Sequence, residues 1–227
     1  MDVEEVCKLA REGLLSELQA LQLEELTKVV NKKDADERTA LHWAASNGHA
    51  QTVEFLAGCK GKLNAQDDAG WTALHSSASG SYEEVVDFLV RSKADIEAET
   101  SSRATPLHYA ASKGNLEVAK SLVAAGADLD AKDERSWTPL LRAASAGQAR
   151  MCDFLIEQKC SARVILDTKE TALHLAATGD HRPTAEVLAA KAPHLLPALE
   201  EEGLTPLQCA ARAGLTAMVT LLEQAQG

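Results

Sequence analysis

Small and apolar residues along this chain recur in a fixed order at a nearly constant interval. Each copy begins with Thr and carries Leu two residues later, a small residue five residues later and Ala six residues later. The first copy begins at Thr39, and the last two begin at Thr171 and Thr205. Four successive intervals are 33 residues and the last is 34 residues. A fixed interval of this length is the mark of a protein built from repeated structural units.

Each copy predicts a short helix. The Thr hydroxyl can accept hydrogen bonds from the first free backbone N–H groups, and the Ala or Pro that follows suits the first helical position. The Leu and the small residues then share one narrow apolar face. Glycine nine residues after the Thr predicts the end of this helix, as at Gly48. Ser81 and Asp180 replace that glycine in two copies, so we expect the helix ends to differ there.

A second apolar pattern follows each copy and predicts a second helix. Its two inward-facing residues stand at fixed offsets, namely Val53 and Leu56, Val86 and Leu89, Ala119 and Leu122, Cys152 and Leu155, Ala185 and Leu188, and Val219 and Leu222. Turn-forming residues then appear between stretches that we expect to be extended, as in Asn64–Trp71. The sequence therefore predicts helix, turn, helix and hairpin in every unit.

This order at a period of 33 identifies the ankyrin repeat. We predict an all-α repeat solenoid, with seven repeats stacked into one elongated, curved domain. The predicted units are residues 1–36, 37–69, 70–102, 103–135, 136–168, 169–202 and 203–227. The first is a degenerate cap with helices near Val3–Ala10 and Leu14–Val29, and the last is a truncated cap. Two prolines in Ala189–Leu199 leave the register of the last unit open.

Charge and composition narrow the classes of partner. The net charge is −11 and the isoelectric point is near 5.1, so nucleic acid and anionic membranes are disfavoured as partners. The chain lacks a recognisable signal segment and a long apolar stretch. We expect a monomer of the cytoplasm and nucleus. The five cysteines form no C-x-x-C pair, so we expect reduced and mostly buried thiols.

Four histidines recur at one repeat position and could be mistaken for metal ligands. They are His42, His75, His108 and His174. A whole repeat separates neighbours, which is too far for one metal ion bound at about 2 Å from each ligand. We expect each ring instead to bond a neighbouring turn. No nucleophile constellation or phosphate-binding glycine loop is present, so we predict no enzyme activity, no metal and no cofactor.

Residues that the repeat does not dictate are the candidates for binding. They stand beside the capping Thr, on the exposed side of the first helix or at the hairpin tips, positions expected to line a continuous concave surface. Trp, Tyr and Arg there are typical of binding hot spots. The candidates are Asp36, Arg38, Trp43, Asp68, Trp71, Tyr109, Lys113, Trp137 and Arg142. The alternative is that tip carboxylates only cap turns and that Trp43 and Tyr109 only pack between repeats.

Several strings that the repeat does not require resemble one family. They include Arg38-Thr-Ala-Leu-His-Trp43, Asp67-Asp-Ala-Gly-Trp71 and Ala131-Lys-Asp133. The chain is similar in these strings to the gankyrin family of proteasome assembly chaperones. The resemblance implies binding to the C-terminal domain of an ATPase subunit of the proteasome base, during assembly of the regulatory particle.

The resemblance also assigns expected roles to residues. Arginine at position 38 and lysine at position 113 would meet partner carboxylates, with Trp43, Trp71 and the tip aspartates contributing and Arg142 on the same surface. The stretch Leu175–Gly179 lacks the L-x-C-x-E motif, so binding of a retinoblastoma-type protein is not implied. The alternative function is that of a regulator of a cyclin-dependent kinase, or of another ankyrin-repeat adaptor.

Overall fold

The computed structural model describes residues 2–226, which form α-helices, one 3-10 turn at Pro193–Leu195 and no strand. The first repeat holds three helices, α1 (Val3–Glu12), α2 (Leu15–Ala20) and α3 (Leu23–Val29). Each later repeat holds a first and a second helix, in the order α4 (Ala40–Ser46), α5 (Ala50–Gly58), α6 (Ala73–Gly80), α7 (Glu83–Arg91), α8 (Pro106–Lys113), α9 (Leu116–Ala124), α10 (Pro139–Ser145), α11 (Ala149–Glu157), α12 (Ala172–Thr178), α13 (Arg182–Lys191), α14 (Pro206–Arg212) and α15 (Thr216–Gln226). The predicted all-α repeat architecture is confirmed.

The helices belong to two compact units. The first unit runs to Pro106 and includes Glu117–Ala127, and the second comprises Leu107–Leu116 and the chain from Asp128 onward. Within the first unit α1 packs on α4 and α4 on α6, so first helices of successive repeats are neighbours. Within the second unit the same holds for α10 with α12 and α12 with α14, and second helices pair as α11 with α13 and α13 with α15.

The core of each unit is built from Leu and Ala. Paired alanines such as Ala44 and Ala45 are fully buried, which lets α4 lie close to its neighbours. The predicted inward pairs of the second helices are fully buried up to Leu222, with one exception. Val219 is only half-buried, whereas Met218 before it is fully buried, as is the equivalent residue of the other repeats. Each fully buried Leu contributes roughly 1.5–3 kcal/mol.

The first repeat departs from the prediction. One helix was expected over Leu14–Val29, but the chain is extended at Leu21 and Gln22 and forms α2 and α3 on either side. The break redirects the backbone so that Leu18 and Leu26 are both completely buried. Burial of these two side chains therefore decides the local structure over the helical propensity of the segment.

The ends of the first helices keep one conformation even where glycine is replaced. Gly48 has φ +74°, and a Cβ added there would meet the Tyr82 ring at 2.4 Å. Ser81 and Asp180 adopt the same left-handed region, with φ 63° and 53°. The expected difference at these two helix ends is therefore not found, because the packing of the repeat imposes the conformation on residues that adopt it less readily than glycine.

The predicted hairpins are tight turns without strands in residues 2–226. In the tip before α6, the N–H of Asp67 donates to Trp71 O at 2.9 Å, and Gly70 N–H donates to Asp67 O at 3.1 Å. The Asp67 carboxylate also accepts the N–H groups of Ala69 and Trp71, at 3.1 and 2.8 Å. The Asp67 side chain thus accepts hydrogen bonds from backbone N–H groups that would bond to a neighbouring strand in a longer hairpin.

The repeated histidines bond neighbouring turns, as predicted. The Nδ1 atom of His75 accepts the Thr72 N–H at 3.2 Å, so the proton lies on Nε2, which donates to Ala104 O of the next repeat at 3.1 Å. The equivalent Nε2–O distances are 2.9 Å for His42 to Trp71, 2.9 Å for His108 to Trp137 and 3.1 Å for His174 to Leu204. In the last repeat Gln208 caps Thr205 with its amide oxygen at 2.9 Å.

The register of the last repeat is the same as that of the others. The N–H of Glu201 donates to Thr168 O at 2.9 Å, and Ser101 N–H donates to Ala69 O at 2.9 Å at the equivalent place. The extra residue and the two prolines are taken up before this point, in the segment that contains the 3-10 turn. The question that the sequence left open is thus answered by the tip-to-tip hydrogen bonds.

The cysteines and helix lengths bear on two further expectations. All five cysteines are free and buried, and burial raises the pKa values of Cys7 and Cys152 to about 12. Their thiols therefore stay protonated and unreactive at neutral pH. No helix in residues 2–226 is both long and apolar enough to cross a membrane.

Stability should fall as the pH drops below 6.5. Burial lowers the pKa of His75 from 6.5 to about 4, so protons bind the unfolded chain first, and stability that is complete above pH 6.5 is lost as the pH falls towards 4. One such group contributes roughly 2 kcal/mol between pH 6.5 and 5. The variant His75→Gln should keep a cap like that of Gln208 but has no ring to protonate. When the pH is lowered from 6.5 to 5, its free energy of unfolding should fall by about 2 kcal/mol less than that of the native chain, as measured by urea unfolding at the two pH values. Equal pH dependence in the two proteins would contradict this role.

Candidate protein-binding surface

Five of the predicted site residues meet in one cavity of the first unit. The cavity has a volume of about 540 Å³ and is formed by two successive tips and the start of α4. We call these five residues the amino-terminal cluster: Asp36, Arg38, Trp43, Asp68 and Trp71. Residues from two different repeats therefore form a single open recess.

Trp43 is the centre of this cluster. Its indole N–H donates to Asp34 Oδ2 at 2.5 Å, which fixes the ring in one orientation. The guanidinium carbon of Arg11 lies 3.4 Å from the ring centroid, and that of Arg38 lies 4.7 Å from it. Cation–π attraction of this kind is worth about 0.5–2 kcal/mol per pair. Trp43 thus holds two cationic side chains that would otherwise be flexible.

Arg38 is held on a second side by an ion pair. Its Nε lies 3.3 Å from Asp67 Oδ2, and the two side chains are 24% and 5% exposed. The sequence predicted an exposed arginine, whereas this side chain is half-buried because the Asp67 carboxylate and the Trp43 ring draw it towards the body of the unit. Trp43 and Trp71 are half-buried as well, so all three present only part of their surface.

The carboxylates of the cluster divide into structural and exposed groups. Asp34 and Asp67 are buried and cap their tips, whereas Asp36 and Asp68 are exposed. Asp34 and Asp67 thus cap their turns and also hold Trp43 and Arg38, whereas Asp36 and Asp68 lie in solvent. Arg11 approaches Asp36 at 3.9 Å, a loose contact in solvent.

Asp34 stays ionised in spite of its burial. Burial by itself disfavours the charged form, but the Trp43 indole and the backbone N–H groups of Arg38 and Asp36 donate to the carboxylate and lower the pKa of Asp34 overall. The carboxylate remains a hydrogen-bond acceptor across the physiological pH range. The orientation of the Trp43 ring is therefore independent of pH in that range.

The other four predicted residues lie in the second unit, and we call them the carboxy-terminal cluster. Tyr109 and Lys113 are one turn apart on the same face of α8, the first half-buried and the second exposed. Arg142, on α10, donates from Nε to Asp133 Oδ2 at 3.0 Å and lies 5.2 Å from the Trp137 ring. The ion pair and the aromatic contact repeat the arrangement around Arg38, with a buried carboxylate and an indole.

Sequence reasoning missed three residues that shape these clusters, namely Arg11, Asp34 and Asp67. A signal for the two aspartates was available, because a hydrogen-bond acceptor recurs five residues before the capping Thr in most repeats. No such signal exists for Arg11, which lies in the degenerate first repeat. Asp133, which ends the string Ala131-Lys-Asp133, is buried because it caps its tip and pairs with Arg142.

Each cluster offers charge, aromatic area and hydrogen-bonding groups, which suit the binding of another protein. The anchored arginines can donate hydrogen bonds to partner carboxylates, and the exposed aspartates can accept hydrogen bonds from basic side chains. No group of three metal-ligating side chains is close enough to hold a metal ion in residues 2–226.

Comparison with known proteins bears on the whole chain. A family model described as "Ankyrin repeats (3 copies)" matches residues 7–100 and 143–226, and one described as "Ankyrin repeats (many copies)" matches residues 107–156. The chain is similar to 26S proteasome non-ATPase regulatory subunit 10 of Homo sapiens and of Rattus norvegicus, with 47% identity over 66 residues in each case. The protein of that name from Dictyostelium discoideum is 50% identical over 40 residues.

These similarities are confined to part of each protein. The aligned segment is 29% of this chain and 29% of the human relative, 29% and 28% for the rat relative, and 17% of each chain for the Dictyostelium relative. The chain thus matches less than a third of the length of these relatives.

Asp67 and Asp68 provide a matched pair for testing the cluster. Asp67→Ala removes the acceptor for Arg38 Nε and for two backbone N–H groups, so the free energy of unfolding should fall by about 2–4 kcal/mol. Asp68→Ala, at an exposed neighbour, should change it by no more than about 0.5 kcal/mol. Urea unfolding followed by circular dichroism measures both. Equal midpoints for the two variants would show that Asp67 does not hold the tip.

Proposed function

Since this chain belongs to the ankyrin-repeat family, we propose that it is a protein-binding scaffold that assists assembly of the 26S proteasome regulatory particle. In this proposal the two clusters bind the C-terminal domain of an ATPase subunit of the proteasome base. The name of the similar proteins supports the proteasome, and the strings around Arg38, Trp71 and Asp133 support the ATPase domain as the partner.

One observation carries the proposal, namely the meeting of Trp43, Trp71 and Arg38 in a recess flanked by exposed Asp36 and Asp68. Aromatic and arginine side chains are the residue types most enriched in binding hot spots. A recess of about 540 Å³ is large enough to receive one or two side chains of a partner.

The internal contacts of the clusters favour binding by reducing its entropic cost. Ordering one long side chain at an interface costs about 0.5–1.5 kcal/mol. Arg38 and Arg142 are already ordered by a carboxylate and an indole, so a partner carboxylate meets a guanidinium in place. Lys113 is exposed and adds a positive charge that favours encounter.

The proposed mechanism is complementarity of surface and charge together with steric blocking. A bound ATPase domain is covered and held in one orientation until assembly, and no catalysis, cofactor or nucleotide is involved. We place the protein in the cytoplasm and nucleus as a monomer, in keeping with a proteasome-associated role. The net charge of −11 favours partners whose contact surface carries basic side chains.

Charge removal at both clusters should weaken the complex. In the double variant Arg38→Gln and Lys113→Glu, the dissociation constant for the ATPase C-terminal domain should rise at least about tenfold, because two positive contacts are lost. Gln is chosen at position 38 because Glu would face the Asp67 carboxylate and disturb the fold. Isothermal titration calorimetry against each purified base ATPase C-terminal domain measures the change.

The control is Lys120→Glu, an exposed charge reversal on α9, the second helix of its repeat. This variant should bind like the native chain, and circular dichroism should show that every variant is folded. Unchanged affinity of the double variant would refute the role of the clusters, and binding of none of the base ATPase domains would refute the proposed partner. Inhibition of a cyclin-dependent kinase without ATPase binding would favour the alternative function.

A further inference from the structure

Two neighbouring tips of the second unit expose large apolar side chains at the same repeat position. Ile165 and Leu199 are each 56% exposed, and both stand six residues before a capping Thr. The four earlier repeats carry polar residues at that position, namely Lys33, Gln66, Glu99 and Lys132. The change from polar to apolar is therefore restricted to two successive tips.

The hydrogen bonds between tips show that these two residues stand on adjacent tips. In the first unit Gln66 Nε2 donates to Glu99 O at 2.9 Å, so residues at this position are direct neighbours in successive repeats. The backbone bond from Glu201 to Thr168 shows the same tip register in the second unit as the bond from Ser101 to Ala69 in the first. Ile165 and Leu199 consequently stand at the same position of adjacent tips, and we call them the apolar pair.

Folding does not account for this pair. An apolar side chain that is more than half exposed gains little from burial, and Ile165 cannot make the bridging hydrogen bond that Gln66 makes. The residue that follows, Leu166, is buried where three other repeats have a capping aspartate, so Leu166 already supplies the apolar packing of this tip. Exposed apolar side chains that lie together indicate a binding surface more often than single ones do.

The charges around the pair indicate what binds there. Residues 163–170 and 199–204 carry five carboxylates and only two basic side chains. Asp167 and Glu201 are exposed, as are Arg163 and Lys169, and Glu202 is paired with Arg212, so carboxylates still outnumber basic side chains around the two tips. Charge complementarity favours a partner segment with Lys or Arg beside aliphatic side chains over an acidic segment.

We propose that Ile165 and Leu199, flanked by Asp167 and Glu201, form an additional docking surface for a basic segment of the partner that carries aliphatic side chains. This inference rests on the proposed function, since its occupant is a segment of the same ATPase C-terminal domain. It differs from the proposed function in residues, because none of the four belongs to either cluster.

The test is a double variant that restores the character of the earlier repeats. Ile165→Lys with Leu199→Glu takes the residue types of Lys132 and Glu99, which the fold accepts at the same position. Isothermal titration with the base ATPase C-terminal domains should show at least about tenfold weaker binding. The matched control is Leu23→Lys, which alters another exposed large apolar side chain, 61% exposed in the first unit, and should leave affinity unchanged.

A second variant tests the charge of the docked segment. Asp167→Lys with Glu201→Lys should weaken binding about as strongly as the apolar variant. A rise in affinity would show that the docked segment is not basic and would overturn the inference. If the native chain binds an ATPase domain and the apolar variant binds equally well, this inference fails while the proposed function stands. If the native chain binds no such domain, the proposed function fails and the inference fails with it.

Sedimentation distinguishes a second copy of the chain as the occupant. The native chain should sediment as a monomer at the concentrations used for titration. A dimer of the native chain that the apolar variant abolishes would assign Ile165 and Leu199 to self-association and would overturn the inference.

Discussion

The structure depends on one buried interaction, in which a neutral imidazole joins the capped start of one helix to the tip of the next repeat. In the third repeat the ring of His75 accepts from Thr72 and donates to Ala104, so both of its nitrogens are used. The bond is strong because the site excludes water, and the ring stays neutral for the same reason. Each such contact sets the distance and rotation between two repeats, and every surface feature follows from that spacing.

The tips show how this spacing becomes a binding surface. A carboxylate such as Asp67 closes its own turn and also holds Arg38, which stands just before α4. Asp67 therefore stabilises the tip and also orients Arg38 towards a partner. Where Ile165 replaces the polar residue of the earlier tips, the chemistry offered to a partner changes from polar to apolar, while Leu166 is buried in place of the capping carboxylate. Variation at a single position of the tip thus alters the surface without altering the backbone.

The two clusters share one design although they lie in different units. Arg38 and Arg142 each contact an indole and a buried aspartate, at Trp43 with Asp67 and at Trp137 with Asp133. Aromatic contact limits the rotamers of the guanidinium, and the carboxylate fixes its plane, so the cation is ordered before a partner arrives. This arrangement explains why residues that the sequence marked for binding also contribute to the stability of the tips.

The periodicity of the sequence determined the repeat, the paired helices, the buried Leu and Ala faces and the bridging histidines. Each of these features depends on residues at fixed offsets within one unit or its neighbour. It also marked the residues of both clusters, since these depart from the repeat. Only the tertiary structure decided that Arg38 is half-buried against Asp67, that Arg11 reaches Trp43 from the degenerate first repeat, and that the helix expected at Leu14–Val29 breaks at Leu21. Those outcomes depend on which side chains from different repeats come within contact distance, and on the burial of Leu18 and Leu26. No periodic pattern along the chain encodes either condition.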